Sequence, residues 1–477
     1  MMKMKTNFKY LMMAFAVLFG AASCSNNDDG GTTLPVEGEP TFVTIDLVQE
    51  SDVTRAPLTE NATTAESTIK SAKVYVFNAL KVLEQIVDFN ATEVAAKKKV
   101  FETTTGLHYF LAVANAPDVT VDLGTGMKEV ETVLSGIDKA KFDGYTVANE
   151  FFMTSGLNTT TYRDVEAASK DLIISTEADA PTKNPVTINI GRAMGKLSFT
   201  YDATAVTYDE VELGGTKYPK AGGKIDASTV KYVVTNNPSS MYYFPYFVNE
   251  QFQTPNYAAY NEVFAPSDYW PALHTATLSY TAPKTGVNVN YSYIMENSNK
   301  VPTYGNATIV SVEAKFVPDA KFVTGTISGS TFYRIWNIKN AEFVGRTLDG
   351  VANQPLFFAS TGDITTFADA QTTGSGTGGA WVADTDYNVE TYTGGISYYI
   401  IPVADKSKSA PVRYNVYRNH YYDVAISKVN GCGYGTPGGS PETDPKDPLD
   451  PDDVWMEAKI NVLPWVKVQQ EEELGPR

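Results

Sequence analysis

Short segments in which apolar and polar residues alternate recur along most of the chain. The clearest is IVSVEAKFVP, where Val310, Val312, Ala314 and Phe316 occupy alternate positions. Others are STVKYVVTN, VNVNYSYIME, ISYYIIPVA and HYYDVAISKV, separated by turns rich in Gly, Pro and Asn. A period of two places one set of side chains on a single face of a sheet. The pattern predicts a mainly β protein built of sandwich-like sheets. The sequence has no fixed-period repeat, which argues against a solenoid or a propeller.

The chain is too long for a single core. With 477 residues, of which 43% are hydrophobic, two or three domains are expected. A long strand in NPVTINIGRAMGKLSFTYD is predicted to leave one domain and enter the next, with the boundary near residue 195. An N-terminal β domain is therefore expected over 56–195 and a C-terminal β domain over 196–433. One minor amphipathic helix is expected in the first domain, from apolar residues at helical spacing: Val130, Val133, Leu134 and Ile137.

The N-terminus has the pattern of an export signal. Three lysines precede LMMAFAVLFGAA, a run too short to span a bilayer, and Cys24 follows small residues. Residues 1–23 are predicted to be a lipoprotein signal peptide and Cys24 the lipid acceptor; the alternative is an ordinary secretory signal. Besides Cys24 the chain has only Cys432, so no disulfide framework is expected. The formal net charge of −17 argues against a nucleic-acid partner.

Two strand-like segments stand apart from the folded sequence. TFVTIDLV, with Val43, Ile45 and Leu47 on one face, lies between polar, turn-rich stretches. MEAKINVLPWVKV follows an acidic, Pro-rich stretch over 434–453, which is predicted to be an extended tether. We expect Pro464, which lacks a backbone N–H, to interrupt strand pairing. In the terminal segment 454–477, Ala458, Ile460 and Val462 align on one face, and beyond Pro464 further apolar surface is supplied by Trp465, Val466 and Val468.

No motif indicates catalysis, a metal or a cofactor. GSGTGG at 374–379 lacks the strand and helix that a dinucleotide-binding loop needs. The histidines form no helical pair, and the aspartates of the tether lack the spacing of a calcium loop. We therefore expect no enzymatic activity, although paired carboxylates leave no spacing signature. The aromatic run MYYFPYF at 241–247 fits either a binding surface or a core.

A family resemblance emerges from these segments in order. VRYNVYRNHYYDVAISKVNGCGYGTP resembles the late C-terminal segment of Bacteroidetes-type major fimbrial subunits, the type V pilins or fimbrillins. HYFLAVANAP is similar to a strand of their N-terminal domain, and GRAMGKLSF to the strand that leaves it. The order of lipoprotein signal, propeptide strand, Arg, two β domains, acidic linker and terminal strand also resembles that family across essentially the whole chain.

The resemblance implies two β-sandwich-like (transthyretin-like) domains in tandem and assembly by strand exchange. It implies a propeptide over 24–55, lipidation at Cys24 with anchoring to the outer membrane, and cleavage between Arg55 and Ala56 by an Arg-specific protease. The strand at 42–48 would then be expelled, and the terminal strand of another copy would fill its place, giving a surface fimbrium that supports adhesion and biofilm formation.

The expected partners are other copies of the chain and other pilus subunits, namely an anchor and a tip. Two alternatives stay open. One is a tip or accessory adhesin that binds a glycan or host protein, which a terminal segment folded back on its own monomer would favour. The other is a surface glycan-binding lipoprotein or enzyme unrelated to pili.

Overall fold

The computed structural model describes most of the chain after the signal region. The described residues are 38–49, 60–156, 166–170, 173–248, 251–257, 265–274, 277–283, 291–336, 346–370, 383, 386–439, 444–449 and 455–467. Cys24, Arg55, Ala56, Val468 and the glycine-rich 374–379 lie outside them. For residues 462–467 only the backbone is described.

The elements up to Arg192 are mostly strands. They are β1 (Pro40–Gln49), β2 (Glu60–Ala62), β3 (Ala72–Phe77), β4 (Leu83–Asp88), β5 (Lys98–Thr104), β6 (Gly106–Ala114), β7 (Val133–Ser135), β8 (Met153–Thr154), β9 (Glu166–Lys170) and β10 (Pro185–Arg192). The helices in this part are short: α1 (Thr64–Ser67), α2 (Ala91–Ala96), α3 (Met127–Val130), α4 (Lys139–Tyr145) and α5 (Ala180–Lys183).

The elements from Gly195 onward are again mostly strands. They are β11 (Gly195–Thr200), β12 (Glu210–Leu213), β13 (Thr216–Pro219), β14 (Gly223–Thr235), β15 (Asn237–Pro238), β16 (Ser240–Tyr242), β17 (Phe247–Val248), β18 (Gln251–Phe252), β19 (Tyr269–Trp270), β20 (Tyr291–Ile294), β21 (Ile309–Pro318), β22 (Val323–Thr324), β23 (Phe332–Trp336), β24 (Arg346–Leu348), β25 (Val351–Gln354), β26 (Phe357–Phe358), β27 (Asn388–Tyr392), β28 (Ile396–Pro402), β29 (His420–Val429) and β30 (Met456–Lys467). Among the described residues of this part, one α-helix, α6, spans Thr361–Asp369, and short 3-10 helices cover Pro266–Asp268, Ala320–Phe322, Thr393–Gly395 and Val412–Tyr414.

The main sheets divide the chain near the predicted boundary. The first has the order β4-β3-β6-β8-β10-β1-β5, with β9 also paired to β6. The later residues, joined by β2 from the first part of the chain, form β2-β30-β29-β11-β20, and by themselves they form β14-β21-β28 and β22-β26-β23-β27. Several two-stranded pairs are also present. The predicted continuous strand is interrupted, because β10 ends in the first sheet and β11 begins in the second. Ala193 and Met194 lie between them and are both buried.

Two large hydrophobic cores lie on either side of this crossover. The first gathers side chains of β1, β3, β6 and β10, and the second those of β14, β21, β28 and β29. The alternation seen in the sequence predicts the packing of β21, where Val310, Val312, Ala314 and Phe316 are all buried. The prediction of a mainly β fold is therefore confirmed. The aromatic run at 241–247 belongs largely to the first core, through Met241, Tyr243 and Phe244.

The prediction of one continuous helix around residues 130–137 is wrong. The segment forms α3, then β7, then α4, with Gly136 at φ 61° after β7. β7 pairs antiparallel with β16, and Val133 is 43% exposed. Pairing with a strand more than a hundred residues away overrides the helical spacing of the apolar residues.

Candidate functional site: the slot of β1 and the terminal strand

β1 lies inside the first sheet and is paired along both edges. Thr44 to Gln49 run parallel to Pro185 to Ile190 of β10. Pro40 to Asp46 run antiparallel to Thr104 to Lys98 of β5. Removal of β1 would therefore open a slot bordered by two strands, each with unpaired backbone groups.

The side chains of β1 fill this slot with an apolar face. Val43, Ile45 and Leu47 are 1%, 0% and 3% exposed, as their alternation predicts. On the other face Asp46 forms an ion pair with Lys98 at 3.0 Å, and Val48 is exposed. The strand is anchored chiefly by hydrophobic burial, since the single ion pair is at the surface.

Polar contacts mark both ends of the slot. Thr41 Oγ1 accepts a hydrogen bond from the Ile174 N–H at 2.9 Å. At the other end, Gln49 Nε2 donates to the Ser67 carbonyl at 2.6 Å, and Lys97 Nζ donates to Gln49 Oε1 at 3.0 Å. These contacts fix the register of β1 in addition to its apolar residues.

One polar position lies in the middle of the slot. Thr44 and Asn184, the residue that follows α5, are both fully buried. The Thr44 N–H donates to the Asn184 carbonyl at 3.0 Å, and Asn184 Nδ2 donates to the Phe42 carbonyl at 2.9 Å. Within the described residues, Thr44 Oγ1 and Asn184 Oδ1 have no hydrogen-bond partner. The slot thus contains buried polar atoms that β1 itself does not satisfy.

The terminal strand β30 is folded back on its own chain. It runs antiparallel to β29, from Val429 opposite Met456 to His420 opposite Pro464, with an irregularity between Ile426 and Lys428. Beyond Pro464, β30 pairs parallel with β2 over Trp465 to Lys467. The ladder with β29 therefore ends at the proline, which agrees with a residue that cannot donate a backbone hydrogen bond.

The side chains of β30 are buried most deeply near its start. Met456 and Ala458 are 1% and 5% exposed and belong to the second core, and Ile460 packs against that core while partly exposed. Asn461 lies outside the core, with its Nδ2 at 3.5 Å from Asp423 Oδ2. The predicted apolar face of Ala458 and Ile460 is thus used within the monomer.

Part of the acidic tether is held against the second half of the chain. The Gly305 N–H donates to the Pro445 carbonyl at 2.7 Å, and the Leu449 N–H donates to the Pro302 carbonyl at 3.2 Å. Thr303 also forms a bridge with Pro448. Residues 444–449 therefore form a docked turn, where the sequence predicted an extended tether.

Charged side chains are buried where the two halves meet. Arg418 forms a bidentate pair with Glu296, at 2.6 Å from Nε to Oε2 and 2.5 Å from Nη2 to Oε1. Its Nη1 also donates to Thr154 Oγ1 of β8 at 3.1 Å. Burial raises the pKa of Glu296, and the charge of Arg418 opposes this rise.

A second cluster of buried charged side chains, those of Glu66, Arg192 and Lys196, connects α1 to both halves of the chain. Burial would raise the pKa of Glu66, but the charge of Lys196, the Thr63 N–H and the Tyr293 hydroxyl hold it below its usual value. Lys196 Nζ lies 3.0 Å from Glu66 Oε1. Arg192 donates to the Glu66 carbonyl at 2.9 Å and to Asn419 Oδ1 at 3.2 Å. Burial lowers the pKa of Arg192 to about 10, so the guanidinium stays charged at neutral pH.

Sequence reasoning did not assign these junction residues. Arg418 and Asn419 belong to the YRNHYY segment that carried the resemblance, where a basic residue and Asn precede the aromatic strand. The segment was found, but the role of its Arg was not. His108 and His420 lie in strands as predicted, and burial lowers the pKa of His420.

In the part of the chain that the structure describes, no group of three His, Cys, Asp or Glu residues is arranged to hold a metal ion. Across the same residues, no helix is long and apolar enough to span a membrane.

The slot and the terminal strand define a class of β-sheet protein whose termini each contribute a strand to one of its sheets. Two family models match the chain: the major fimbrial subunit protein FimA over residues 41–196 and the C-terminal domain of type IV major fimbrial subunits, fimbrillins, over 390–471. The chain belongs to the fimbrillin family of Bacteroidetes major fimbrial subunits. The first match begins within β1 and the second includes β30, so the matched regions contain both strands described above.

Solved structures with similar chains carry related descriptions. A fimbrillin (FimA) from Porphyromonas gingivalis is 14% identical, covering 90% of this chain and 99% of its own, with a TM-score of 0.42. The tip fimbrial protein Mfa3 of the same organism, with a C-terminal truncation, is 12% identical, covering 89% and 100%, with a TM-score of 0.35. At such scores the family assignment rests on the two family models. No curated protein matches the chain significantly.

Family membership makes the protein a structural fimbrial subunit of the cell surface. The expectation that it is not an enzyme is thereby confirmed. Its assembly into a pilus with other subunits follows from family membership.

Proposed function

We propose that the protein is a shaft subunit that polymerises by exchanging β1 for the terminal strand of another copy. The observation that carries this proposal is the position of β1, which is paired along both edges and buried along one face. Arg55 lies in the connection between the end of β1 and β2. A cut there would leave β1 attached to the rest of the protein by noncovalent contacts alone.

The proposed sequence of events begins at the membrane. Residues 1–23 are removed, Cys24 receives a lipid, and the precursor is anchored to the outer membrane. An Arg-specific protease cuts between Arg55 and Ala56, which releases the propeptide 24–55 with the strand 42–48. The remaining chain comprises two β domains, over 56–195 and 196–433, the linker 434–453 and the donor segment 454–477.

The energetics favour exchange over simple loss of β1. Burial of Val43, Ile45 and Leu47 contributes about 5–9 kcal/mol gross, so an empty slot is costly. A donor strand with apolar residues at alternate positions recovers both this burial and the backbone pairing. The donor face would be drawn from Ala458, Ile460, Val462, Trp465, Val466 and Val468.

The proposal can be tested with purified precursor lacking residues 1–24. Cleavage with an Arg-specific protease should convert monomer to a polymer ladder, and the new N-terminus should be Ala56. Arg55→Ala should block both results, whereas Arg413→Ala, at a partly exposed Arg, should not. Deletion of 454–477 should stop growth. Cleaved full-length protein that stays monomeric at high concentration would contradict the proposal.

A tip or accessory adhesin is the second candidate, and one observation favours it. β30 is paired with β29 and β2 of its own chain, which a subunit that donates no strand would also show. A tip subunit would accept a strand but donate none. After cleavage, such a protein should bind a synthetic peptide of residues 454–477 yet form no ladder by itself. Binding of a glycan or host protein would then be its function.

A surface glycan-binding lipoprotein unrelated to pili is disfavoured by the family assignment. It would keep residues 24–55 in its mature form. The N-terminal residue of the protein on cells therefore separates the candidates, since Ala56 supports processing and a lipidated Cys24 supports a permanent anchor.

A further inference from the structure

We propose that the donor strand enters the slot of β1 in one register, set by Asn461, with Asn461 taking the place of Thr44. This inference rests on the proposed strand exchange and adds the residue that determines its register. The donor would run in the direction of β1, so that Ile460, Val462 and Pro464 take the places of Val43, Ile45 and Leu47.

The first argument is the buried polar position in the slot. Asn184 Oδ1 is buried and without a partner while β1 is in place, and Asn184 Nδ2 gives one of its two hydrogens to the Phe42 carbonyl. An Asn side chain is longer than Thr and carries both donors and an acceptor. At the position of Thr44, whose N–H donates to the Asn184 carbonyl, Asn461 would donate to Asn184 Oδ1 and accept the second Nδ2 hydrogen. The incoming strand would thus satisfy atoms that β1 leaves unsatisfied.

The second argument is the proline. The N–H groups of odd-numbered β1 residues point toward β5, as the bond from the Leu47 N–H to the Lys97 carbonyl shows. The ladder with β5 ends at Asp46, so position 47 lies just beyond it. Pro464 at that position loses a single hydrogen bond at the ladder's end and none with β10. A shift by two residues toward the start of β1 would place Pro464 opposite Lys99, within the ladder.

The third argument is charge and volume. In the proposed register Leu463 replaces Asp46 and lies opposite Lys98. Ile460 takes the place of Val43 and Val462 takes the place of Ile45, so the total side-chain volume at these two positions is unchanged. A shift of two residues in the other direction would place Lys459 at the fully buried position of Thr44. Reversal of the strand about Asn461 would place Lys459 opposite Lys98. Each alternative therefore buries a charge, opposes like charges or interrupts the ladder.

Disulfide capture tests the register directly. Asp46 and Lys98 are directly opposed and form a non-hydrogen-bonded pair, a geometry within disulfide range. The variant Lys98→Cys with Leu463→Cys should form intersubunit disulfides in polymers made from the cleaved protein. The pair Val100→Cys with Lys459→Cys reports one shifted register and the pair Lys98→Cys with Trp465→Cys reports the other, and neither pair should crosslink. Uncleaved precursor, whose slot holds β1, and Lys98→Cys alone are the controls.

Substitution of Asn461 tests its role. Asn461→Ala should weaken donor binding about tenfold, the expected effect of losing a buried hydrogen-bond pair. In a protein that already carries Asn184→Ala, the further change Asn461→Ala should weaken donor binding much less than it does in the unmodified protein. Lys217→Ala, a change at an exposed lysine of β13 outside both the slot and the donor segment, serves as the control and should leave assembly near the level of the unmodified protein.

The outcomes separate the register from the exchange itself. Polymers that crosslink through the Lys459→Cys or Trp465→Cys variants, or that are insensitive to Asn461→Ala, overturn the register while leaving strand exchange intact. A cleaved protein that forms no polymer in any variant overturns strand exchange and the register with it. Crosslinks confined to the Leu463→Cys variant, together with the coupling between Asn461 and Asn184, support the proposal.

Discussion

Arg418 shows how one residue joins the two halves of the chain. Its side chain is 2% exposed, it pairs with the fully buried Glu296, and it also reaches Thr154 of β8 and the carbonyls of Tyr242 and Tyr243. Two buried charges are stable here because nearly every donor of the guanidinium has an acceptor. Loss of one partner would leave the other charge uncompensated.

Arg418→Ala is accordingly expected to lower the free energy of unfolding by about 3–5 kcal/mol. Denaturant titration measures this change. Lys217→Ala, at the exposed pair of Lys217 with Glu210, should cost less than about 1 kcal/mol. Equal effects of the two substitutions would show that the buried pair does not stabilise the junction.

Glu66 makes stability depend on pH. Its pKa is lowered in the folded protein, so its contribution is fully present above the unfolded value near 4.5 and is lost as the pH falls through the folded pKa. Glu66→Gln should therefore be less stable than the unmodified protein at neutral pH, and the gap should narrow below about pH 4.5. Unfolding curves from pH 7 to pH 3 check this. A gap that widens with acidification would be the opposite result.

At the scale of elements, β1 and β30 share an alternation of apolar residues but differ in their position in the sheets. β1 lies between two strands, while β30 pairs with β29 on one side and, beyond Pro464, with the short β2. A strand held at two edges is harder to remove than one held mainly at one. This difference supports the proposal that cleavage precedes the release of β1.

Ile45→Asp should destabilise β1 in its slot by at least about 3 kcal/mol, because it places a charge at a fully buried position. Val48→Asp, on the exposed face of the same strand, should change stability by less than about 1 kcal/mol. Limited proteolysis of residues 38–49 and denaturant unfolding measure both. Equal protection of the two variants would contradict the burial of β1.

At the scale of the whole molecule, β30 stabilises one sheet and leaves the other untouched. It pairs with β29 and β2, and its Met456 and Ala458 belong to the second core. Within the described residues, no strand of the first sheet, such as β6, pairs with it. Loss of β30 should therefore act locally.

Deletion of residues 455–477 should reduce amide protection in β29 and β2 while leaving β6 protected. Hydrogen exchange followed by mass spectrometry measures this pattern. A deletion restricted to residues 468–477 serves as the control and should leave β29 protected. Uniform loss of protection across both sheets would contradict a local role.

Some elements were predictable because their determinants are local. The alternation in β21, β28 and β29 identified strands, and Val43, Ile45 and Leu47 were correctly placed on one buried face of β1. The helix at 130–137 failed because β7 pairs with β16, a partner distant in sequence. The junction of Arg418, Glu296 and Glu66 was missed because its members are scattered along the chain.

The sequence by itself determined the mainly β class, the two strand-like segments that stand apart from the rest, and the order of segments that is typical of a fimbrillin. Period-two alternation and turn residues act over a few neighbours, so they can be read along the chain. Only the tertiary structure decided which strands flank β1, that β30 rests on β29, and that Asn184 leaves a polar atom unsatisfied in the slot. Strand pairing and burial join residues that are far apart in sequence, and no local pattern specifies those partners.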